Sequence, residues 1–305
     1  GEVILPAYGN MATVQAIRNA GCIPRFVDID DSFTIDPQKI EVTKETRAII
    51  PVHLFGNPCN MREIMKFAKE NNLVVIEDCA HALGAKFENT PIGNFGIGCH
   101  SFGETKMLRI GEGGMVTGSK EFIELFRKYV HEGETLYGKS TMDPFLAWNL
   151  QDLSAISYGE GSNLRYSPIL AAIGLAKLKE FDRFKSKLED NARYLMRNLP
   201  FTFARENGER VFSSLSCLVE NRDLLLYALA KQGIPVGRYF PSLFDLPNAT
   251  SFAKNHILLP NYPVLEKEHL QWFVEKVNAT VEDIGKWEIK NDAIKEFYSF
   301  NLFTL

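Results

Sequence analysis

Two stretches, LVVIEDCAHALGA at residues 73–85 and CHSFGETKMLRIGEGG at residues 99–114, decide the fold of this chain. Leu73-Val74-Val75-Ile76 is an uninterrupted apolar run, the pattern of a strand buried on both faces of a parallel sheet, and Asp78 follows it directly. In the second stretch a predicted strand over Gly98–Phe102 carries Ser101 and leads to Lys106. The glycines at 111, 113 and 114 then let the chain turn tightly into a further strand over Gly114–Thr117. Ligands of open α/β sheets collect at the C-terminal edges of parallel strands. Asp78, Ser101 and Lys106 all fall at such edges.

Outward from these stretches, residues 1 to about 120 alternate short β-branched runs with amphipathic helical spacing, the pattern of repeated β-α units on a mainly parallel sheet. Strands are predicted over Glu2–Leu5, Pro24–Asp28 and Arg47–Val52. Helices are predicted over Met11–Ala20, closed by Gly21, over Met61–Glu70, capped by Asn60, and over Lys120 to about Val130. Residues 133–167 are rich in turn residues and aromatics with little periodicity, and a loop this long is usually functional or a partner contact. Pro168 opens a strong helix through Leu175, Leu178 and Phe181. A second helix, Phe184–Leu199, leads to a smaller α+β part. That part has strand-like Val211–Val219, a helix over Asn221–Gln232, strand-like Ile234–Phe240 and a helix over Lys267–Val281. The expected division is a large domain over residues 1–182, a small C-terminal domain over 183–282 and a tail over 283–305 ending in SFNLFTL, whose aromatics suggest packing against the body or another chain. The chain opens straight into a strand at Gly1, which leads us to expect a preceding N-terminal segment.

Composition narrows the function classes. The 305 residues are 45% hydrophobic with a formal net charge of -4, so a packed core is expected and no long-range field favours nucleic acid. No apolar run is long enough for a membrane helix, and no signal peptide is read. The five cysteines are scattered without zinc or redox spacing, the pattern of reduced thiols in a cytoplasmic protein. His53, His81 and His100 could be imagined as metal ligands, but their scatter reads as no metal site.

The residue types carry a more specific message. A lysine amine condenses with an aldehyde, and apolar or cationic surroundings make it nucleophilic by lowering its pKa. A carboxylate beside a pyridine nitrogen keeps that nitrogen protonated. A serine hydroxyl holds a phosphate oxygen. Lysine, aspartate and serine together are what pyridoxal 5'-phosphate requires. Singly, each has a plainer reading: Asp78 as a cap or turn residue, Lys106 as a surface lysine. The glycine cluster has neither P-loop nor GxGxxG spacing.

The order GEVILPAY (1–8), FVDIDDSFTIDP (26–37), AIIPVHLFGNPCNM (48–61), VVIEDCAHALGA (74–85), CHSFGETK (99–106), GEGGMV (111–116) and SNLRYSPILAAIGLAKL (162–178) resembles the DegT/StrS sugar aminotransferases block by block. The resemblance covers about residues 1–280, and beyond 182 it rests on looser cues such as KQGIPVGRYFP and ILLPNYP. It implies the α/β fold-type-I architecture of pyridoxal-phosphate transferases and a homodimer with shared active sites. It also implies transfer of an amino group from glutamate or glutamine to a nucleotide-linked ketosugar or keto-cyclitol. By the same resemblance Lys106 is the catalytic lysine that holds the cofactor, and Asp78 pairs with its pyridine nitrogen. His81 lies beside the ring and its 3-oxygen, Ser101 binds the phosphate, and Asn163 reaches the phosphate of the neighbouring subunit's cofactor. His53 is read as wall or packing, and Arg109, Lys139, Arg165 and Arg238 as possible local cations for an anionic substrate.

Two departures stand out. The family carries a Gly-Thr at a helix N-terminus before the equivalent of Gly1, and this sequence lacks it. The family also often reads PAYTF or PSFTW with an aromatic over the pyridine ring. This chain reads Pro6-Ala7-Tyr8-Gly9-Asn10, so Asn10 holds the stacking position and Tyr8 is the expected substitute contact. These departures motivate an alternative, a catalytically weakened binding or regulatory member. The dehydratase branch of the family, which has histidine in place of the cofactor lysine, is a second alternative that Lys106 opposes.

Overall fold

The computed structural model describes residues 1–133 and 159–284. The central sheet has six strands: β1 (Glu2–Pro6), β2 (Ile23–Val27), β3 (Thr46–Ile49), β4 (Val74–Asp78), β7 (Ile97–Ser101) and β8 (Gly114–Thr117). Their order is β2-β1-β3-β4-β7-β8. Every pairing is parallel except that of β7 with the edge strand β8. The short hairpin β5 (Lys86–Phe87) and β6 (Thr90–Pro91) stands apart from it. Helices α1 (Met11–Asn19), α2 (Met61–Glu70) and α3 (Lys120–Tyr129) connect or follow the strands. The α/β class with a mainly parallel sheet is thus the one expected.

Local chemistry sets the helix boundaries. The side chains of Asn10, Asn60 and Ser119 accept backbone N–H groups in the first turns of α1, α2 and α3, satisfying donors that have no partner inside a helix. Gly21, with φ +67°, ends the α1 turn in the left-handed region where glycine is unstrained. One expectation needs correction. The run 73–76 is not buried on both faces: Val74 is exposed, while the fully buried member of β4 is the charged Glu77.

Helices α4 (Pro168–Leu178) and α5 (Phe181–Asn198) lead into a three-stranded antiparallel sheet of β9 (Thr202–Phe203), β10 (Leu215–Leu218) and β11 (His256–Leu259), ordered β11-β10-β9. This sheet packs with α6 (Arg222–Lys231), α5 and α8 (Lys267–Ile284) around Leu195, Leu215, Leu229 and Val277. The expected strand over 234–240 is absent. That segment makes one isolated bridge, Gly237 to Leu258, because Pro235 removes a ladder donor and the edge of β11 is taken up only locally. Sequence reading also missed α7 (Pro247–Asn255) and β11.

The later elements are anchored to the first sheet through Asp28, which is 4% exposed just beyond β2. Its carboxylate accepts the N–H groups of Asn248 (3.1 Å) and Ala249 (2.8 Å) at the start of α7, and Lys39 Nζ lies 3.1 Å away. Leu246 itself supplies no capping side chain, so Asp28 caps α7 from over 200 residues away in the chain. Ala249 and Phe252 of α7 then sit in the same apolar cluster as Leu5, Tyr8 and Phe55. This packing brings Tyr239 and Phe240 against the C-terminal edge of the large sheet. Among the described residues no helix is long and apolar enough to cross a membrane. Most of the irregular stretch 133–167, including Lys139, and nearly all of the tail lie outside the described residues.

Candidate functional site

At the C-terminal edge of the large sheet lies a cavity of about 260 Å³, lined by Asn10, Thr13, Val52, Leu54, Asp78, His81, Ser101, Lys106 and Phe240, among others. Four segments of the large sheet build it, and Phe240 from the later part of the chain completes the wall. β1 ends and α1 begins with Asn10; β3 runs on to Val52, which bridges Asp78; β4 ends at Asp78; β7 ends at Ser101. The turn after β7, closed by the bond from Lys106 N–H to the Gly103 carbonyl at 3.1 Å, returns Lys106 to the cavity.

Asp78 is held from both sides. Thr13 Oγ1 donates to Oδ2 at 2.9 Å and the Ala80 N–H donates to Oδ1 at 3.1 Å. Its backbone is clamped as well, with its N–H on the Pro51 carbonyl and its carbonyl accepting the His53 N–H. Thr13 was not singled out from the sequence. Its position three residues after the capping Asn10, on the first turn of a helix entering the site, was the available signal.

Lys106 is half-buried. Burial lowers the pKa of its amine from the ordinary lysine value, while the charge of Asp78 opposes that shift. His81 is 8% exposed, and burial together with the positive charge of Lys106 pulls its pKa down to about 3. Its ring is therefore neutral at any working pH. Its Nδ1 accepts the Phe55 N–H at 3.3 Å. Ser101 Oγ accepts the Gly103 N–H at 3.4 Å and faces the same cavity.

Two expected contacts lie elsewhere. Tyr8 is fully buried beneath the site, not in it. Its hydroxyl meets His256 Nε2 at 3.0 Å and its ring packs edge-on against Phe252 at 4.7 Å. Burial raises its pKa. The chain leaving β1 turns Tyr8 into the core and brings Asn10, two residues on, to the cavity wall. Asn163 lies outside the cavity of its own chain, bridged to His131 and accepting Arg165 Nε at 3.0 Å.

Behind Asp78, Glu77 is wholly buried. It accepts N–H groups from Gly93 (2.9 Å), Phe95 (2.8 Å) and Gly96 (3.0 Å) and faces His53 Nε2 at 3.3 Å. Burial alone would raise its pKa, but these donors hold it below the usual carboxylate value. His53, Glu77 and Cys79 are close enough together to be read as metal ligands. However, His53 Nδ1 is taken by the Cys59 N–H, Glu77 has its full set of donors, and burial raises the Cys79 thiol pKa so that it stays protonated. The cluster is a satisfied structural network, in keeping with His53 as packing.

The DegT/DnrJ/EryC1/StrS aminotransferase family matches over residues 1–278. The chain belongs to this family. GDP-perosamine synthase of Escherichia coli O157:H7 is 31% identical over 304 residues, covering 92% of this chain and 79% of that protein. The pleiotropic regulatory protein of Geobacillus stearothermophilus is 34% identical over 305 residues, covering 90% and 77%. Among solved structures, E. coli GDP-4-keto-6-deoxy-D-mannose-3-dehydratase with bound hydrated PLP superposes with a TM-score of 0.78 at 25% identity, covering 90% of this chain and 79% of that one. The fold-type-I architecture follows from these likenesses.

Buried neutral histidines make a checkable statement about stability. His256 is 1% exposed, and its pKa is depressed to about 4, chiefly by burial. In the unfolded chain it titrates near 6.5, so below that pH the unfolded state takes up a proton that the folded ring refuses. Stability is full above pH 6.5 and falls toward pH 4, by about 2–3 kcal/mol from His256, with His81 adding in the same direction. Urea unfolding at pH 7.5, 6, 5 and 4.5 should show this decline, and H256Q should make it shallower while leaving the part due to His81. Equal stability at pH 7.5 and 4.5 would contradict the buried, neutral placement.

Proposed function

We propose that the chain is a pyridoxal-phosphate-dependent aminotransferase that moves an amino group from an amino-acid donor to a ketone on a nucleotide-linked sugar or related cyclitol. The observation that carries this reading is the convergence of Lys106, Asp78, Ser101 and His81, from the ends of two neighbouring strands, on one small cavity. The donor set fits pyridoxal phosphate: an amine with a lowered pKa, a carboxylate fixed by two hydrogen bonds, a hydroxyl, and a neutral imidazole. The cavity volume lies just under the range of about 300–1,000 Å³ typical of drug-sized ligands, as suits a single substituted pyridine.

Bound there, the cofactor supplies an aldehyde carbon that takes up and returns amino groups, and a protonated ring that draws electrons from an adjacent C–H bond. The protein's residues do the rest. Asp78, oriented by Thr13 and Ala80, holds the proton on the ring nitrogen. Lys106 is the covalent anchor and then the base that moves a proton at the reacting carbon, a task its lowered pKa favours. Ser101 binds at the phosphate end. Val52, Leu54 and Phe240 are the apolar walls that keep water from the reacting groups. Asn10 occupies the place where an aromatic would stack.

The family's activity and the similarity to GDP-perosamine synthase support a nucleotide-sugar substrate. The dehydratase reading is opposed by Lys106. A purely regulatory role, suggested by one relative's name, needs neither the amine nor the held carboxylate that the cavity keeps. The two sheets support a division into a cofactor-holding domain over residues 1–182 and a smaller domain over 183–282.

A second copy of the chain is part of the reading. Helix α4 is apolar nearly all round, yet of its residues only Gly174 is buried, and Ile169 and Leu175 are 75% and 67% exposed. Leu164, just before it, and Leu125 on α3 are exposed as well. We read an apolar helix left this exposed as an association face. On this reading Asn163, which lies away from its own cavity and just before α4 in the chain, serves a neighbour's site. Light scattering should give a dimer for the native chain and a folded monomer for I169E/L175E; a native monomer would refute the shared site.

Direct test of the chemistry uses borohydride. Protein mixed with pyridoxal phosphate and reduced should carry one cofactor adduct, on the peptide containing Lys106. K106A should carry none there, and T13V should need several-fold more cofactor for half-labelling. An adduct spread over surface lysines would sink the assignment.

A further inference from the structure

A buried cation with no direct ion pair among the described residues lies directly behind the site, its nearest charges being those of Glu206 and Arg193, which are paired with each other. Arg210 is 3% exposed and makes no ion pair among the described residues; its Nη1 has no hydrogen-bond partner. Burial lowers its pKa only to about 10, so it remains charged at neutral pH. The guanidinium lies 4.9 Å over the Phe212 ring. Its hydrogen bonds are two long ones, from Nε and Nη2, both at 3.4 Å and both to the carbonyl oxygen of Phe55. Burying a guanidinium is costly, and here it is spent on one backbone carbonyl.

That carbonyl belongs to an unusual residue. Phe55 has φ 53° and ψ 25°, a left-handed conformation that a bulky side chain rarely adopts. Gly56 follows with φ +77°, and a Cβ there would come within 2.0 Å of the Val211 carbonyl oxygen. The Val211 N–H donates to the Gly56 carbonyl at 3.1 Å. Residues 210 and 211 therefore grip residues 55 and 56 by consecutive carbonyls and leave the turn no room to relax.

The other end of this turn points at the reaction site. The Phe55 N–H donates to His81 Nδ1 at 3.3 Å, and the ring is enclosed by Phe55 on one side and Tyr239 on another, with centroids 6.1 and 5.7 Å away. A neutral imidazole has one accepting and one donating nitrogen. If Nδ1 accepts, Nε2 carries the hydrogen. The strained turn thereby selects a tautomer, and Arg210 holds the turn.

We propose that Arg210 is a positioning residue for His81: by gripping the Phe55 carbonyl it commits His81 Nδ1 to a backbone N–H and leaves Nε2–H as a standing donor toward an oxygen atom of the molecule in the Lys106 cavity. The matching ligand group is an acceptor, a phenolate or carbonyl oxygen, and not a second N–H. This rests on the cavity being the reaction site. The arrangement explains both a buried cation without a direct ion pair and a left-handed phenylalanine. It also assigns His81 a fixed polarity, which its residue type alone leaves open.

The ring nitrogens can be read directly. Full-length protein with ¹⁵N-labelled histidine, without added cofactor, is examined by long-range ¹H–¹⁵N correlation, and the His81 signals are identified by their absence in H81Q. Expected are a pyrrole-like Nε2 and a pyridine-like Nδ1, unchanged from pH 8 to pH 6. In R210M, folded by circular dichroism, the two nitrogen shifts should move toward each other as the Nδ1–H tautomer becomes populated. R210Q, which retains an amide donor at this place, should keep the native split and stands as the second variant should R210M fail to fold. A pyrrole-like Nδ1 in the native protein overturns the proposal, as does an unchanged split in folded R210M or a lost split in folded R210Q. Because the signals are read without cofactor, this outcome is separate from whether borohydride labels Lys106.

Discussion

A carboxylate at the end of a strand inside a parallel sheet holds one orientation only if donors fix it, and at Asp78 two do. Thr13 Oγ1 takes one oxygen and the Ala80 N–H the other, so the group arrives at the cavity oriented. The sheet makes this possible. β4 lies between β3 and β7, which fixes its end relative to Val52 on one side and Ser101 on the other. α1 enters from β1, two strands away, and brings Thr13. The site exists because parallel strands deliver their C-terminal ends to one edge.

Support continues behind that edge. Glu77, one residue earlier, points away from the cavity and is tied to the loop of Gly93, Phe95 and Gly96 and to His53. A buried charge with this many partners is satisfied, and one with fewer would be costly. The same logic runs through Asp28, which caps α7 and sets the small antiparallel part against the large sheet, bringing Phe240 to the cavity wall and Tyr239 beside His81. Residues remote from the chemistry thus fix its geometry through backbone amides, a recurrent device in this chain. Arg210 acts in the opposite sense, as a cation on a carbonyl, for the His81 side.

Much of this was legible in the sequence, and for physical reasons. Period, glycine placement and the β-branched runs identify the parallel sheet, and asparagine and serine caps mark where the helices begin. The block order that resembles the DegT/StrS family points to Asp78, His81, Ser101 and Lys106, and all four share one cavity. What escaped is equally instructive. Tyr8 was expected near the cofactor, but one turn of chain decides whether residue 8 or residue 10 faces the cavity, and periodicity does not resolve that at the end of a strand. Thr13 carries no motif of its own. The left-handed Phe55 and the solitary Arg210 depend on contacts between segments some 155 positions apart, which no local pattern encodes. The strand expected at 234–240 failed because Pro235 and a sheet edge, not β propensity, govern that segment.

In the proposed function Lys106 and Asp78 grip opposite ends of one pyridine ring. A crystal structure of the protein soaked with pyridoxal phosphate tests this most directly. It should show continuous density from Lys106 Nζ to the cofactor, with the ring nitrogen about 2.7–2.9 Å from an Asp78 carboxylate oxygen, the distance of a charge-assisted hydrogen bond. A ring nitrogen turned away from Asp78, or a cofactor settled elsewhere while this cavity holds only water, would contradict it.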